Sequence, residues 1–202
     1  PVFLGDDDLP DPKLYAAPFG YDPEEFDEDA FAIVVTVAAY DSDRMSDLSS
    51  NCVNDHHALE DILPHSFICK FSSEKFLPLL NPTCAEFRDA MVRFRRITTR
   101  EGFLFVYFCT HVVTVWGGEG KKSKNPNETA YLCMRDTEWR DAKKVAASSI
   151  SLSEFVEIMN GMACGRKSFA FNYAHTSYVK PSVFGSKVMY PPGDFLIRLS
   201  KL

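Results

Sequence analysis

The stretch FLFVYFCTH, residues 103–111, decides the fold of this chain. Its unbroken apolar run from Phe103 to Cys109 is typical of a β-strand that is covered on both faces. The polar pair Thr110 and His111 follows the run, so the sequence predicts a buried strand that ends on a histidine. A second run of this kind, FAIVVTVAAY at residues 31–40, predicts another buried strand.

The segment that follows the run at 31–40 has a helical pattern. CVNDHHALEDIL, residues 52–63, predicts a helix that Pro64 stops. Its predicted apolar face consists of Val53, Leu59, Ile62 and Leu63.

Two further helices are predicted from capping boxes. Thr83 and Glu86 form one T-x-x-E box, and Ser151 and Glu154 form an equivalent S-x-x-E box. A 3.6-residue apolar period continues from the first box to about residue 99. The predicted apolar faces are Phe87, Ala90, Met91, Phe94 and Ile97 in the first of these helices, and Leu152, Phe155, Val156 and Met159 in the second.

Shorter apolar segments complete the predicted sheet. They are SFICKF (66–71), TAYLCMRD (129–136), SFAFNY (168–173, a third buried strand) and DFLIRLSKL (194–202), with polar loops at 117–128 and 137–149. Strands that alternate with helices predict an α/β fold in which helices flank a mostly parallel central β-sheet on both faces.

The charge distribution divides the chain into two regions. Residues 1–30 contain ten acidic residues and one lysine, and they are rich in proline and aspartate. Two interpretations stay open for this acidic N-terminal arm. It is a solvated linker, or it lies across the mildly basic body and is anchored by its apolar side chains. The remaining residues, 31–202, suit a single domain.

Composition excludes several classes of function. No apolar run approaches the roughly 18 residues that a membrane span requires. The net charge of −6 and the lack of a basic stripe argue against nucleic-acid binding. The six cysteines are scattered, a pattern that favours free thiols in a reducing, cytoplasmic compartment over disulfides or a zinc cluster. His56 and His57 are adjacent on a helix and point in different directions, so we expect no metal there.

Candidate functional residues follow two of the predicted strands. One strand leads to Cys109-Thr110-His111, and the other to Asn172-Tyr173-Ala174-His175. Because the carboxyl ends of parallel strands meet at the same edge of a sheet, these residues are expected to converge.

Three motifs, in this order, resemble those of caspase-type cysteine peptidases and most closely a metacaspase. After the first strand come Tyr40, Leu48 and the segment NCVND (51–55), the second motif is FCTHV (108–112), and the third is NYAHTS (172–177). The resemblance covers residues 31–202 and implies a caspase-like fold for that domain.

By this resemblance, His111 takes the position of the general base and Ala174 that of the nucleophilic cysteine. A methyl group cannot form a thiolate or an acyl intermediate, so no functional catalytic residue is expected. Thr110 and Val112 replace the glycines that flank the family histidine, and these β-branched side chains should narrow the substrate groove.

The resemblance also implies a remnant of the acidic substrate pocket. Cys52 and Asp55 match its cysteine and first aspartate, whereas Cys109 replaces its serine and Asn172 its second aspartate. With one carboxylate lost, the pocket should bind arginine and lysine side chains less well. The family's calcium site needs several oxygen ligands, and residues 112–128 offer only two carboxylates, so we expect no cofactor.

The sequence therefore predicts a metacaspase-like pseudopeptidase that acts by protein binding, as a regulator or scaffold. Its expected partner is another protein, either an active peptidase relative or a peptide in the remnant groove, and the arm is a candidate cover for that groove. One alternative is an active, calcium-dependent, Arg/Lys-specific peptidase in which alanine was placed at 174 to stop self-cleavage. Another recruits Thr176, Ser177 or Cys109 as the nucleophile.

Overall fold

The computed structural model describes residues 29–64, 71–117 and 127–175 of the chain. The elements are β1 (Ala30–Thr36), α1 (Ser50–Ile62), β2 (Phe76–Leu80), α2 (Cys84–Phe94), β3 (Phe103–Gly117), β4 (Asn127–Cys133), α3 (Ala142–Ala147), β5 (Ser149–Ser151), α4 (Leu152–Asn160) and β6 (Arg166–His175). Residues 1–28, most of the predicted strand at 66–71 and the predicted strand at 194–202 lie outside the described residues. None of the described helices is long and apolar enough to cross a membrane.

The six strands form one mixed sheet around β3. β1, β2, β3 and β6 run parallel to one another, β4 is antiparallel to β3, and β5 is antiparallel to β4. β1 pairs with residues 103–109 of β3, and β4 pairs with residues 112–117. β6 pairs with residues 103–112. Since Val112 is in register with both β4 and β6, these two strands lie on opposite edges of β3. β1 and β4 therefore pair with successive segments of β3 along one of its sides, and β6 pairs along the other side.

Helices cover both faces of this sheet, as the sequence predicts. On one face, α2 and α4 pack on alternate residues of β1 and β3; the core members from those strands are Phe31, Ile33, Val35, Leu104, Val106, Phe108 and Val112. On the other face, the end of α1 contributes Leu63, which is buried with Ala32 and Val34 of β1. Each strand residue thus points to the face that its period-2 position dictates.

Of the apolar face predicted for helix α1, only Leu63, directly after its last residue, is buried. Ile62 is 41% exposed, and Val53 and Leu59 are only partly buried. The buried residue of the helix is His56, 1% exposed, whose Nδ1 lies 3.1 Å from the Thr36 hydroxyl. Hydrophobicity alone misses this residue because its burial depends on a polar partner at the end of β1.

The predicted helix at 83–99 is shorter than expected. Its capping box is present, with the Thr83 hydroxyl accepting from the Glu86 amide, but the helix ends at Phe94 and Ile97 is 44% exposed. In the second predicted box, the Ser151 hydroxyl accepts from the Glu154 amide. The Glu154 carboxylate binds the Arg88 guanidinium in two places, at 2.6 and 3.1 Å.

Three features of the sheet region differ from the predictions. Strand β2 was not predicted, and it contains Pro78, which a strand at the edge of a sheet tolerates. Helix α3 and strand β5 lie where a loop was predicted, at 137–149. Strand β6 pairs within the described residues only with β3, and Phe169 and Phe171 are partly rather than fully buried.

Candidate functional site

The prediction that a strand ends on His111 is wrong, because β3 continues for six more residues to Gly117. The continuation has its own partner, since β4 pairs with it from Val112 onward. His111 thus lies where β3 has passed the end of β1 but has not yet met β4. This gap leaves backbone groups that no strand satisfies.

The Tyr40 hydroxyl fills that gap. It accepts a hydrogen bond from the His111 amide at 3.0 Å and donates to the Val37 carbonyl at 2.9 Å. It also lies 3.1 Å from the Thr110 hydroxyl, which in turn donates to the Cys133 carbonyl. Burial raises the pKa of Tyr40, so the phenol stays protonated and remains a donor. One side chain therefore joins β1, β3 and β4.

The His111 imidazole is buried, 4% exposed, and held on two sides. Its ring packs against the Tyr40 ring with centroids 5.1 Å apart and planes tilted by 32°. Its Nε2 lies 2.9 Å from the Ser46 carbonyl oxygen. Because a carbonyl oxygen can only accept, this contact requires a proton on Nε2. The Ser46 carbonyl thus selects the tautomer with the proton on Nε2.

Strand register places position 174 directly beside this histidine. β3 and β6 are parallel neighbours, and Ala174 is the register partner of His111. The residue that follows, His175, is the partner of Val112. The two candidate segments therefore do meet on adjacent strands, and Ala174 is the residue that the register pairs with His111.

Two residues earlier on the same two strands, Cys109 and Asn172 are register partners. Cys109 is 1% exposed, and its burial together with the neighbouring Cys52 thiol raises the pKa of its thiol to about 12. Asp55 adds to the same shift through its charge. The first turns of α1 thus bring Cys52 and Asp55 to the strand residue Cys109, and a thiol with this pKa is not a nucleophile at neutral pH.

Tyr107 completes this group, although the sequence did not single it out. Asn172 Nδ2 donates to the Tyr107 hydroxyl at 3.3 Å. Burial raises the pKa of Tyr107 to about 12, an effect that the Asn172 bond opposes and that Cys109 and Asp55 reinforce. We call Cys52, Asp55, Tyr107, Cys109 and Asn172 the polar pocket. The alternation along β3, which puts residues 107, 109 and 111 on one face, is the signal that identifies Tyr107.

An open cleft of about 430 Å³ adjoins the loop that carries Ser46. Residues 41–44 and 136–140 line it, including four carboxylates and two arginines. Within the described residues, no three His, Cys, Asp or Glu side chains are close enough together to hold a metal ion. Residues 118–126, part of the segment in which the family holds calcium, lie outside those ranges, so the expectation about calcium stays a prediction.

The chain matches no protein-family model and no curated protein. Among solved structures, it is similar to the crystal structure of protein GSU0716 from Geobacter sulfurreducens, with a TM-score of 0.48 and 12% sequence identity. The match covers 75% of this chain and 52% of that chain, so this chain spans about half the length of that protein. A likeness of this degree carries no argument about function.

Proposed function

We propose that the chain is a catalytically inactive, metacaspase-like pseudopeptidase, a caspase-fold domain that regulates or scaffolds a partner protein. The observation that carries the proposal is the register of His111 with Ala174. The register partner of the family's histidine position is an alanine, and a methyl group cannot act as the nucleophile that such a histidine would activate.

The polar pocket supports binding as the remaining activity. It gathers five polar side chains, of which Asp55 and Asn172 are exposed and accessible to a peptide. Asp55 is its only carboxylate, so attraction for a guanidinium or ammonium group is weaker than two carboxylates would give. Hydrogen bonds to Asn172 and Asp55 then select the peptide side chain. A cytoplasmic location and a peptidase relative as partner belong to the same proposal.

An assay of peptidase activity tests the first half of the proposal. Reporter peptides with arginine or lysine before the cleaved bond are incubated with the full chain, with and without calcium. We expect no turnover above the rate of a His111→Ala control. Turnover that disappears in His111→Ala would show that another residue serves as the nucleophile.

A binding experiment tests the second half. A peptide selected from a displayed library against the full chain is titrated calorimetrically. We expect Asp55→Asn and Asn172→Ala each to weaken binding by about tenfold, since a typical hydrogen bond contributes about 0.5–1.5 kcal/mol and one to a charged group contributes more. Asp43→Asn, at an exposed carboxylate in the separate cleft, serves as the matched control. Equal affinity in all three variants would remove the polar pocket from the proposal.

A second candidate is an active peptidase whose nucleophile has been replaced. The fixed tautomer of His111 favours it, because a base is still oriented by Ser46 although nothing requires one. The native coding sequence at position 174 separates the two candidates. A cysteine codon there would establish the second one, and Ala174→Cys would then be expected to show calcium-dependent turnover.

A further inference from the structure

The edge of the sheet opposite the candidate site carries a cluster of arginines. Four of them lie within eight residues at the end of α2, and all are exposed: Arg93, Arg95, Arg96 and Arg100. Val92 and Ile97 are exposed among them, at 57% and 44%. We call these six residues the arginine patch. Unlike Arg88, which pairs with Glu154, none of the four arginines is within ion-pair distance of a carboxylate among the described residues.

The patch stands on a well-defined backbone. The Thr98 hydroxyl donates to the Arg95 carbonyl and accepts from the Ala163 amide. The Arg100 carbonyl accepts from the Gly165 amide at 3.0 Å. These bonds tie residues 95–100 to the segment between α4 and β6, so the guanidinium groups are displayed from a fixed surface rather than from a loose loop.

The acidic arm enters the domain beside this patch. Asp29, the residue before β1, accepts from the Thr99 hydroxyl and from Lys75 Nζ, each at 2.8 Å. Its carbonyl accepts from the Phe103 amide at 3.1 Å. The chain that precedes Asp29 therefore leaves the described structure next to Thr99, within the patch segment.

The segment before Asp29 is complementary to the patch in both charge and apolar character. Residues 20–28, GYDPEEFDE, hold five carboxylates and no cation, together with Tyr21 and Phe26. Seven residues of extended chain reach roughly 24 Å. Even fully extended, the six residue steps from Thr99 back to Arg93 span at most roughly 20 Å. The carboxylates of the segment can therefore reach every arginine of the patch.

We propose that residues 20–28 dock on the arginine patch of the same chain. Their carboxylates pair with the four guanidinium groups, and their aromatic rings cover the exposed Val92 and Ile97. This places residues 20–28 at the amino edge of the sheet, away from His111 and the polar pocket. The docked segment also satisfies charges that have no partner within the described part of the chain.

Hydrogen exchange of the full-length chain, read by mass spectrometry over residues 20–28, tests the proposal. We expect exchange there to be slowed about tenfold at low salt and to approach the free-peptide rate at roughly 0.5 M salt, because exposed charge pairs are screened. Arg96→Glu with Arg100→Glu should abolish the protection. The matched control, Arg140→Glu with Lys143→Glu, makes the same charge change at exposed residues of the opposite edge and should retain it.

Three outcomes would overturn the proposal. The first is free-peptide exchange of residues 20–28 in the unmodified chain at low salt. The second is protection that survives Arg96→Glu with Arg100→Glu in a protein that melts like the unmodified chain. The third is protection that grows with protein concentration, which would assign the patch to the arm of a second copy. Binding of a single-stranded oligonucleotide to the patch of an unprotected chain would assign it to nucleic acid.

Discussion

At the carboxyl edge of the sheet, the polar groups around His111 are buried and bonded to one another, whereas at the amino edge the arginines are exposed without partners among the described residues. Tyr40, Thr110 and His111 share hydrogen bonds across three strands. Groups satisfied in this way hold a geometry but have little left to offer a ligand. The cations of the arginine patch pair with no carboxylate of the described residues, so they can bind the acidic segment before β1. The hydrogen bonds at the carboxyl edge fix the geometry around His111, whereas the arginines at the amino edge form an exposed, positively charged surface.

The largest expected effect comes from the core that both edges share. Phe108 is 1% exposed, and its ring lies 5.6 to 6.1 Å from those of Phe155, Phe87 and Phe171. Phe108→Ala should lower the free energy of unfolding by about 3–5 kcal/mol, through lost burial and a cavity. Urea denaturation measures it. Glu157→Ala, at an exposed position of α4, should change stability by less than about 0.5 kcal/mol; a similar loss in both variants would contradict the assigned core.

The next effect tests how tightly the amino edge is packed. A Cβ on Gly102 would lie 2.8 Å from both the Asp29 carbonyl oxygen and the Phe31 ring. Because a backbone atom and a buried ring cannot move easily, Gly102→Ala should destabilise the chain by about 1–3 kcal/mol. A Cβ on Gly161 meets the flexible Arg95 guanidinium first, at 3.1 Å, so Gly161→Ala should cost less. Thermal unfolding of the two variants compares them, and the reverse order would show that the amino edge is loosely packed.

A smaller effect tests the hydrogen bonds of the carboxyl edge. Tyr40→Phe keeps the ring that packs on His111 but removes the acceptor of the His111 amide. Leaving a buried donor unsatisfied costs about 1–3 kcal/mol, which chemical denaturation can measure. Tyr131→Phe, on β4, is the matched control, because its hydroxyl makes no hydrogen bond within the described residues. If both variants were equally stable, water would have to replace the Tyr40 hydroxyl.

The smallest expected effects are changes of stability with pH, which begin at different pH values for one titratable group at each edge. Burial lowers the pKa of His56 below 6.5; the Glu60 charge opposes this shift and His57 adds to it. The unfolded chain then binds more protons at His56 than the folded chain does. The free energy of unfolding therefore falls as the pH falls below about 6.5. Hydrogen bonds from Lys75 and Thr99 lower the pKa of Asp29, so that carboxylate costs stability only as pH falls below about 3.8.

Unfolding midpoints measured between pH 8 and pH 3 distinguish these windows. His56→Gln should flatten the loss that begins near pH 6.5, whereas His57→Gln, at a side chain that is 57% exposed, should leave it in place. Asp29→Asn should change only the most acidic part of the profile. An unchanged slope in His56→Gln would show that His56 is not the group that titrates.

The parts of the fold that the sequence predicted correctly are those with local signals. The Thr83 capping box, the apolar period of α2 and the apolar runs of β1 and β3 all occur near their predicted positions. The extension of β3 past His111 was missed because it depends on pairing with β4, which is distant in sequence. Strand β2 was missed because Pro78 argues against a strand unless the strand lies at an edge.

The residues of the candidate site also fall into a group that the sequence predicted and a group that it missed. The resemblance pointed to the four pocket positions and to the pair of His111 and Ala174. The register pairs Cys109 with Asn172 and His111 with Ala174. Cys52 and Asp55 reach Cys109 from helix α1. Tyr107 and the Ser46 carbonyl were missed. A backbone carbonyl has no signature in a sequence, and Tyr107 joins the pocket only because Asn172 on β6 lies within reach of its hydroxyl.

By itself, the sequence determined the chemistry of each position: an alanine at 174, an acidic segment before β1 and four arginines after α2. These are properties of side chains, and no fold alters them. The tertiary structure alone decided which of them meet. It set Ala174 beside His111, fixed the histidine tautomer through Ser46, and brought Asp29 to Thr99 at the arginine patch. Such neighbours are joined by strand register and by hydrogen bonds between residues far apart along the chain, which a local pattern does not contain.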